Sequence, residues 1–144
     1  MALVTATVDA TIPAPATEVL AALADYVAVR PGILPANYSA YEVVEKGIGD
    51  GTVVTWQLQA TKKRVRHVVA DVTLTPDAVV ETDRNSTMVT TFAVVADGAG
   101  SKVTATTTWQ GAGGVGGFFE KTFAPLGLGR IHGQLLTNLA ARLT

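Results

Sequence analysis

Proton-transfer chemistry needs a titratable group and a second group that orients it. In this 144-residue chain the side chains that offer themselves for that work are Arg66, Glu81, Tyr41 and His132. His132 adjoins Ile131 in a run of helix-spaced apolar residues, so it is expected beside a buried stripe. There it would act as a general base or simply pack, and no orienting partner stands near it in the sequence. His67 falls on the polar side of its strand and is expected to be exposed. Arg66 shares the strand parity of Val68, Ala70 and Val72, which points it inward. A buried arginine needs a carboxylate or an anionic ligand beside it, and Glu81 or Glu45 is the expected carboxylate. Tyr26, Tyr38 and Tyr41 supply hydroxyls that can fix the polar end of a ligand.

Other chemistries fit the sequence less well. There is no cysteine, which removes disulfides, thiolate metal sites and cysteine nucleophiles together. Two histidines without a clustered carboxylate do not make a zinc site, and no metal is expected. Gly111-Ala112-Gly113-Gly114-Val115-Gly116 fits the spacing of a dinucleotide-binding loop, but no βαβ unit surrounds it. No acidic residue follows Glu120 to hold a ribose, so no cofactor is expected and the glycines read as a connection into a helix. Lys62-Lys63-Arg64-Val65-Arg66-His67 is the one basic cluster, and it reads as a solvated hairpin. A net charge of −1 with no interleaved aromatics gives no attraction for nucleic acid. No apolar stretch reaches membrane-spanning length and no signal peptide is evident, so the expectation is a cytoplasmic protein, monomeric or homodimeric.

The elements that must position these residues follow from periodicity. Leu3 to Ile12, rich in Val and Thr, suits a strand that Pro13 and Pro15 stop. A helix starting at Pro15 carries Val19, Leu20, Leu23 and Val27 and breaks at Arg30-Pro31-Gly32. From Tyr38 to Gln110 short strands alternate with tight turns. The predicted strands are 41–45, 52–60, 65–74, 79–83, 88–95 and 103–110. Parallel neighbours need long crossovers, so the strands form an antiparallel meander. One side of it is mainly apolar (Val54, Trp56, Leu58; Val68, Ala70, Val72; Met88, Phe92, Val94; Val103, Ala105, Thr107, Trp109) and the other is rich in threonine. A one-faced sheet needs a cover. The cover is the last stretch, where Leu128, Ile131, Leu135, Leu139 and Leu143 recur at helical spacing. Pro125 is expected to kink or interrupt that helix, splitting a short aromatic piece, Phe118 to Ala124, from a regular piece, Leu126 to Arg142.

A strand, a helical pair after a Pro-Ala-Pro element, a strand meander and a long C-terminal helix together resemble the START/Bet v1-like (SRPBCC) superfamily. The resemblance is carried by Ile12-Pro13-Ala14-Pro15, by Gly49-Asp50-Gly51-Thr52-Val53-Val54-Thr55-Trp56, and by Gly116-Gly117-Phe118-Phe119-Glu120-Lys121-Thr122-Phe123-Ala124-Pro125. Within the superfamily the chain looks most like the bacterial polyketide cyclase/dehydrase and lipid-transport branch. The resemblance implies one α+β domain over residues 1–144. It would have a helix-grip fold of about seven strands curved around the C-terminal helix, with two short helices after the first strand. It also implies a hydrophobic cavity between sheet and helix. The residues expected to line the cavity are Tyr26, Tyr41, Trp56, Leu58, Arg66, Val68, Ala70 and Met88 from the sheet side and the helical pair. Phe92, Trp109, Phe119, Phe123, Leu128, Ile131, His132 and Leu135 complete the set. The expected function is binding or carriage of a small hydrophobic molecule such as a lipid, polyketide or isoprenoid-like compound. A polyketide cyclase or dehydratase using the same cavity is the alternative.

Overall fold

The computed structural model describes the backbone of residues 3–61, 64–110 and 114–143, and their side chains except at 60, 61, 64 and 114–124. Residues 111–113 of the glycine motif, the lysines of the basic cluster, and the side chains of Phe119 and Phe123 therefore lie outside the described residues.

The chain opens with β1 (Leu3–Ile12), whose Val4, Ala6 and Ile12 are buried while Leu3, Thr5 and Thr7 face solvent. Pro15 stands immediately before α1 (Ala16–Leu23), which turns Val19, Ala22 and Leu23 inward. The helix ends earlier than its apolar spacing suggests, and Val27 is exposed. Arg30-Pro31-Gly32, expected as a break, instead lies within the short helix α2 (Arg30–Ile33). Proline is tolerated there because a first-turn N–H has no helical partner to lose.

Six strands follow: β2 (Tyr38–Glu45), β3 (Val53–Thr61), β4 (Arg64–Leu74), β5 (Ala78–Asp83), β6 (Val89–Asp97) and β7 (Gly100–Gln110). They run as a meander, and β1 closes onto β7, giving the order β1-β7-β6-β5-β4-β3-β2 with antiparallel pairing throughout. That pairing gives no parallel strand pair, which a pyrophosphate-binding turn requires. The turn between β2 and β3 has Lys46, Gly47, Gly49 and Gly51 at positive φ. At Gly47 a Cβ would stand 2.6 Å from the Val27 side chain, so both conformation and space require glycine.

The chain ends in α3 (Gly114–Arg142), which is one continuous helix with Pro125 inside it. The expected interruption does not occur. Proline in a helix interior costs about 3 kcal/mol, whereas Leu128, Ile131, Leu135, Leu136 and Leu139 are all buried. Each such side chain contributes about 1.5–3 kcal/mol on burial, which anchors the part of the helix that follows the proline. α3 packs on β1, β3, β7 and α2, while α1 packs on β5, β6 and β7. The apolar faces of sheet and helices join in a single core cluster.

Candidate functional site

The inner face of the sheet is largely apolar, with buried polar groups at Asp83 and Ser101 and one polar row that crosses three strands. Thr107 on β7 is the register partner of Thr90 on β6, and Thr90 is the partner of Glu81 on β5. All three are buried. The row one step along is Ala105, Phe92 and Val79, apolar in every member. The two ends of the polar row are met by different helices.

At the Glu81 end the segment from α1 to α2 supplies Tyr26 and Arg30. The Glu81 carboxylate accepts from the Tyr26 hydroxyl at 2.5 Å and pairs with Nη2 of Arg30 at 2.9 Å. Arg30 also donates from Nε to the Leu23 carbonyl at 2.9 Å and from Nη2 to the Tyr26 hydroxyl at 3.2 Å. Its guanidinium carbon lies 4.6 Å from the Tyr26 ring centre and 4.8 Å from that of Phe92, within cation–π range of both. Burial works most strongly against the Arg30 charge, but Glu81 together with Tyr26, Tyr38 and Tyr41 outweighs it, and the guanidinium stays above its ordinary range. Burial pushes the Tyr26 hydroxyl well up, opposed by Arg30 and reinforced by Glu81.

Tyr41 and Trp56 adjoin this cluster. The β2–β3 register shifts between Ser39 and Glu42, and Ala40 sits at φ 51°, an uncommon conformation for a residue with a Cβ. Such a bulge re-aims side chains. The Tyr41 hydroxyl donates to the Tyr26 carbonyl at 2.5 Å, and its ring stacks on Trp56 with centroids 6.4 Å apart. Tyr38 meets the same indole edge-on at 5.7 Å. Burial raises the Tyr41 hydroxyl to about 12, with Arg30 opposing and Glu81 adding. Burial likewise raises Tyr38.

At the Thr107 end α3 supplies His132. Its Nε2 lies 2.7 Å from the Thr107 hydroxyl, which lies 2.7 Å from that of Thr90. The imidazole meets Phe92 edge-to-face at 5.9 Å, so Phe92 touches both Arg30 and His132. Burial, with Arg30 adding, lowers the His132 pKa to about 4, so the ring is neutral at ordinary pH. Three buried side-chain nitrogens have no hydrogen-bond partner among the described residues: Nε1 of Trp56, Nε1 of Trp109 and Nδ1 of His132. The described residues contain no cluster of groups able to hold a metal ion.

Of the residues expected at the site, Tyr26, Trp56, Leu58, Val68, Ala70, Glu81, Met88, Phe92, Trp109, Leu128, Ile131, His132 and Leu135 are buried, and Tyr41 and Arg66 are half-buried. His67 is exposed. The pairing expected for Arg66 is corrected. Glu81 is bonded to Arg30, Glu45 is exposed, and Arg66 is engaged elsewhere. The buried arginine of this protein is Arg30, whose Arg-Pro-Gly setting reads in sequence as a break. Thr90 and Thr107 are further polar groups of the interior that carry no motif. For Thr107 the available signal is its parity with Val103, Ala105 and Trp109.

A model of the family described as polyketide cyclase / dehydrase and lipid transport matches residues 1–144. Comparison with curated proteins gives no match. Among solved structures, the KanY protein, determined in solution by NMR, is 52% identical with a TM-score of 0.91, covering 99% of each chain. TTHA0849 from Thermus thermophilus is 17% identical with a TM-score of 0.78 over 96% of each chain. The Zhui aromatase/cyclase from a Streptomyces species is 15% identical with a TM-score of 0.74, over 99% of this chain and 94% of that one. The last two likenesses speak for the fold alone. With the seven-stranded antiparallel sheet gripping its C-terminal helix, these findings place the chain in the polyketide cyclase/dehydrase and lipid transport family, within the START/Bet v1-like superfamily.

Proposed function

We propose that this protein binds, in a cavity between the sheet and α3, a small and largely apolar molecule that carries polar atoms. A lipid, a polyketide or an isoprenoid-like compound has that character. The reading rests on one observation. The interior is apolar, yet three buried nitrogens lack a partner at Trp56, Trp109 and His132. Buried polar groups in folded proteins are nearly always bonded, and an interior that leaves three unmet is suited to a guest that meets them. The buried ions give no competing account, because Arg30, Glu81 and Tyr26 satisfy one another.

The test is to purify the protein under native conditions, denature it and analyse the released small molecules by mass spectrometry. A stoichiometric apolar compound is expected. Release of nothing, together with no thermal shift from any hydrophobic ligand, would count decisively against binding.

A second reading is favoured by the contact of both Arg30 and His132 with Phe92. In it the same cavity positions a reactive chain for cyclisation or dehydration, and positioning contributes most of the rate. His132→Gln would then abolish turnover of a poly-β-ketone, a far larger loss than any accompanying loss of its binding. Equal turnover in the two proteins would remove His132 from the chemistry.

A further inference from the structure

A threonine hydroxyl has one proton to donate, so the chain Thr90–Thr107–His132 can order its protons in two ways. In the first, Thr90 donates to Thr107, Thr107 donates to Nε2 of His132, and the ring proton sits on Nδ1. Every hydroxyl proton then has an acceptor, and a single group, Nδ1–H, is left over. In the second, Nε2–H donates to Thr107 and Thr107 donates to Thr90. That order strands two groups among the described residues, the Thr90 proton and the Nδ1 lone pair. Unmet buried groups are costly, so the first order holds. Nδ1 of His132 is therefore a donor, as Nε1 of Trp56 and Trp109 are by constitution.

Trp109 stands two residues from Thr107 on the same face of β7, roughly 7 Å along the strand. It thus shares the inner-face run of β7 on which Thr107 is bonded to His132. The unmet groups are all donors, and among the described residues the one buried Lys or Arg side chain, Arg30, is already paired with Glu81 at 2.9 Å. A carboxylate or phosphate entering this interior would be buried without a counter-charge. A ketone or ether oxygen would accept from the waiting N–H groups at no such cost.

We infer that the site selects uncharged apolar molecules bearing hydrogen-bond-accepting oxygens over anionic amphiphiles, with Trp109 and His132 as the specificity-determining residues. The inference rests on the binding function proposed above and names the ligand's chemistry.

The experiment compares three probes of one shape: 2-acetylnaphthalene, 2-naphthoate and 2-ethylnaphthalene. Each is titrated into the intact 15N-labelled protein at pH 7.5, following the indole N–H signals of the two tryptophans and the imidazole nitrogens of His132. The ketone is expected to bind roughly tenfold tighter than either comparator, the worth of one well-met buried hydrogen bond. It should shift the Trp109 indole proton downfield, and His132 should carry its proton on Nδ1 before any probe is added. Trp109→Phe should lower ketone affinity more than hydrocarbon affinity, narrowing the ratio between the two probes. Binding of naphthoate or ethylnaphthalene as tightly as the ketone would overturn the selectivity while leaving the binding function standing. A His132 proton on Nε2 would overturn it as well. Failure of all three probes, with no co-purified molecule, would overturn the binding function and this inference with it. The comparison in the unsubstituted protein does not depend on any variant folding.

Discussion

The Arg30–Glu81 pair is buried almost completely, with side-chain exposures of 3% and 7%. At such burial the attraction between two ions is largely offset by the loss of their hydration, so the pair is a weak source of net stability. Removing one partner is a different matter, because the other charge stays buried without compensation. Glu81→Ala is expected to destabilise by about 3–5 kcal/mol, measured by urea unfolding. The double change Arg30→Met with Glu81→Leu should cost clearly less than the single one. Equal costs would show that the two residues are not coupled. His132 is governed by the same desolvation. Its pKa is near 4 in the folded protein against an ordinary value of 6.5. The unfolded chain therefore binds the proton first as pH falls. The stability is fully present above about pH 6.5 and is lost on the way down to about pH 4, by roughly 3 kcal/mol. His132→Gln should remove that part of the pH dependence. If the variant and the original lost stability in parallel between about pH 6.5 and about pH 4.5, the neutral buried imidazole would be ruled out.

Among the elements, α3 is the cover of the sheet, and its faces are sharply divided. Leu135 is fully buried while Leu126 is 63% exposed. Leu135→Ala is expected to destabilise by about 2–5 kcal/mol, and Leu126→Ala by less than about 0.5 kcal/mol, in the same thermal or urea series. Comparable losses would mean that the helix is rotated from the orientation described. The apolar repeat of this helix was plain in the sequence, because a spacing of three and four leaves few alternatives. The consequence of Pro125 was not, because it depends on how much packing lies beyond the proline, a property of the sheet rather than of the helix. β2 shows the same limit. Its alternation is short and imperfect, and the bulge that aims Tyr41 needs Ala40 in a conformation that no residue type there announces.

For the molecule as a whole, the sheet with its helical cover was legible, and the polar heart of it was not. Strand parity identified the inner face residue by residue, because alternation is a local property of sequence. The link from Tyr26 to Glu81 spans 55 residues, and that from Thr107 to His132 spans 25. Neither leaves a local mark. Arg30 was hidden by its neighbours, since Arg-Pro-Gly reads as a place where structure ends. What brings these distant groups together is strand order. β1, the first strand of the chain, pairs with β7, the last. During synthesis β1 leaves the ribosome long before its partner exists, and at about 5–20 residues per second the wait is roughly 5–20 s. Through that interval Val4, Ala6 and Ile12 have no strand to lie beside and no helix over them. The nascent chain is thus most vulnerable at the end made first, which is where a chaperone would have reason to hold it.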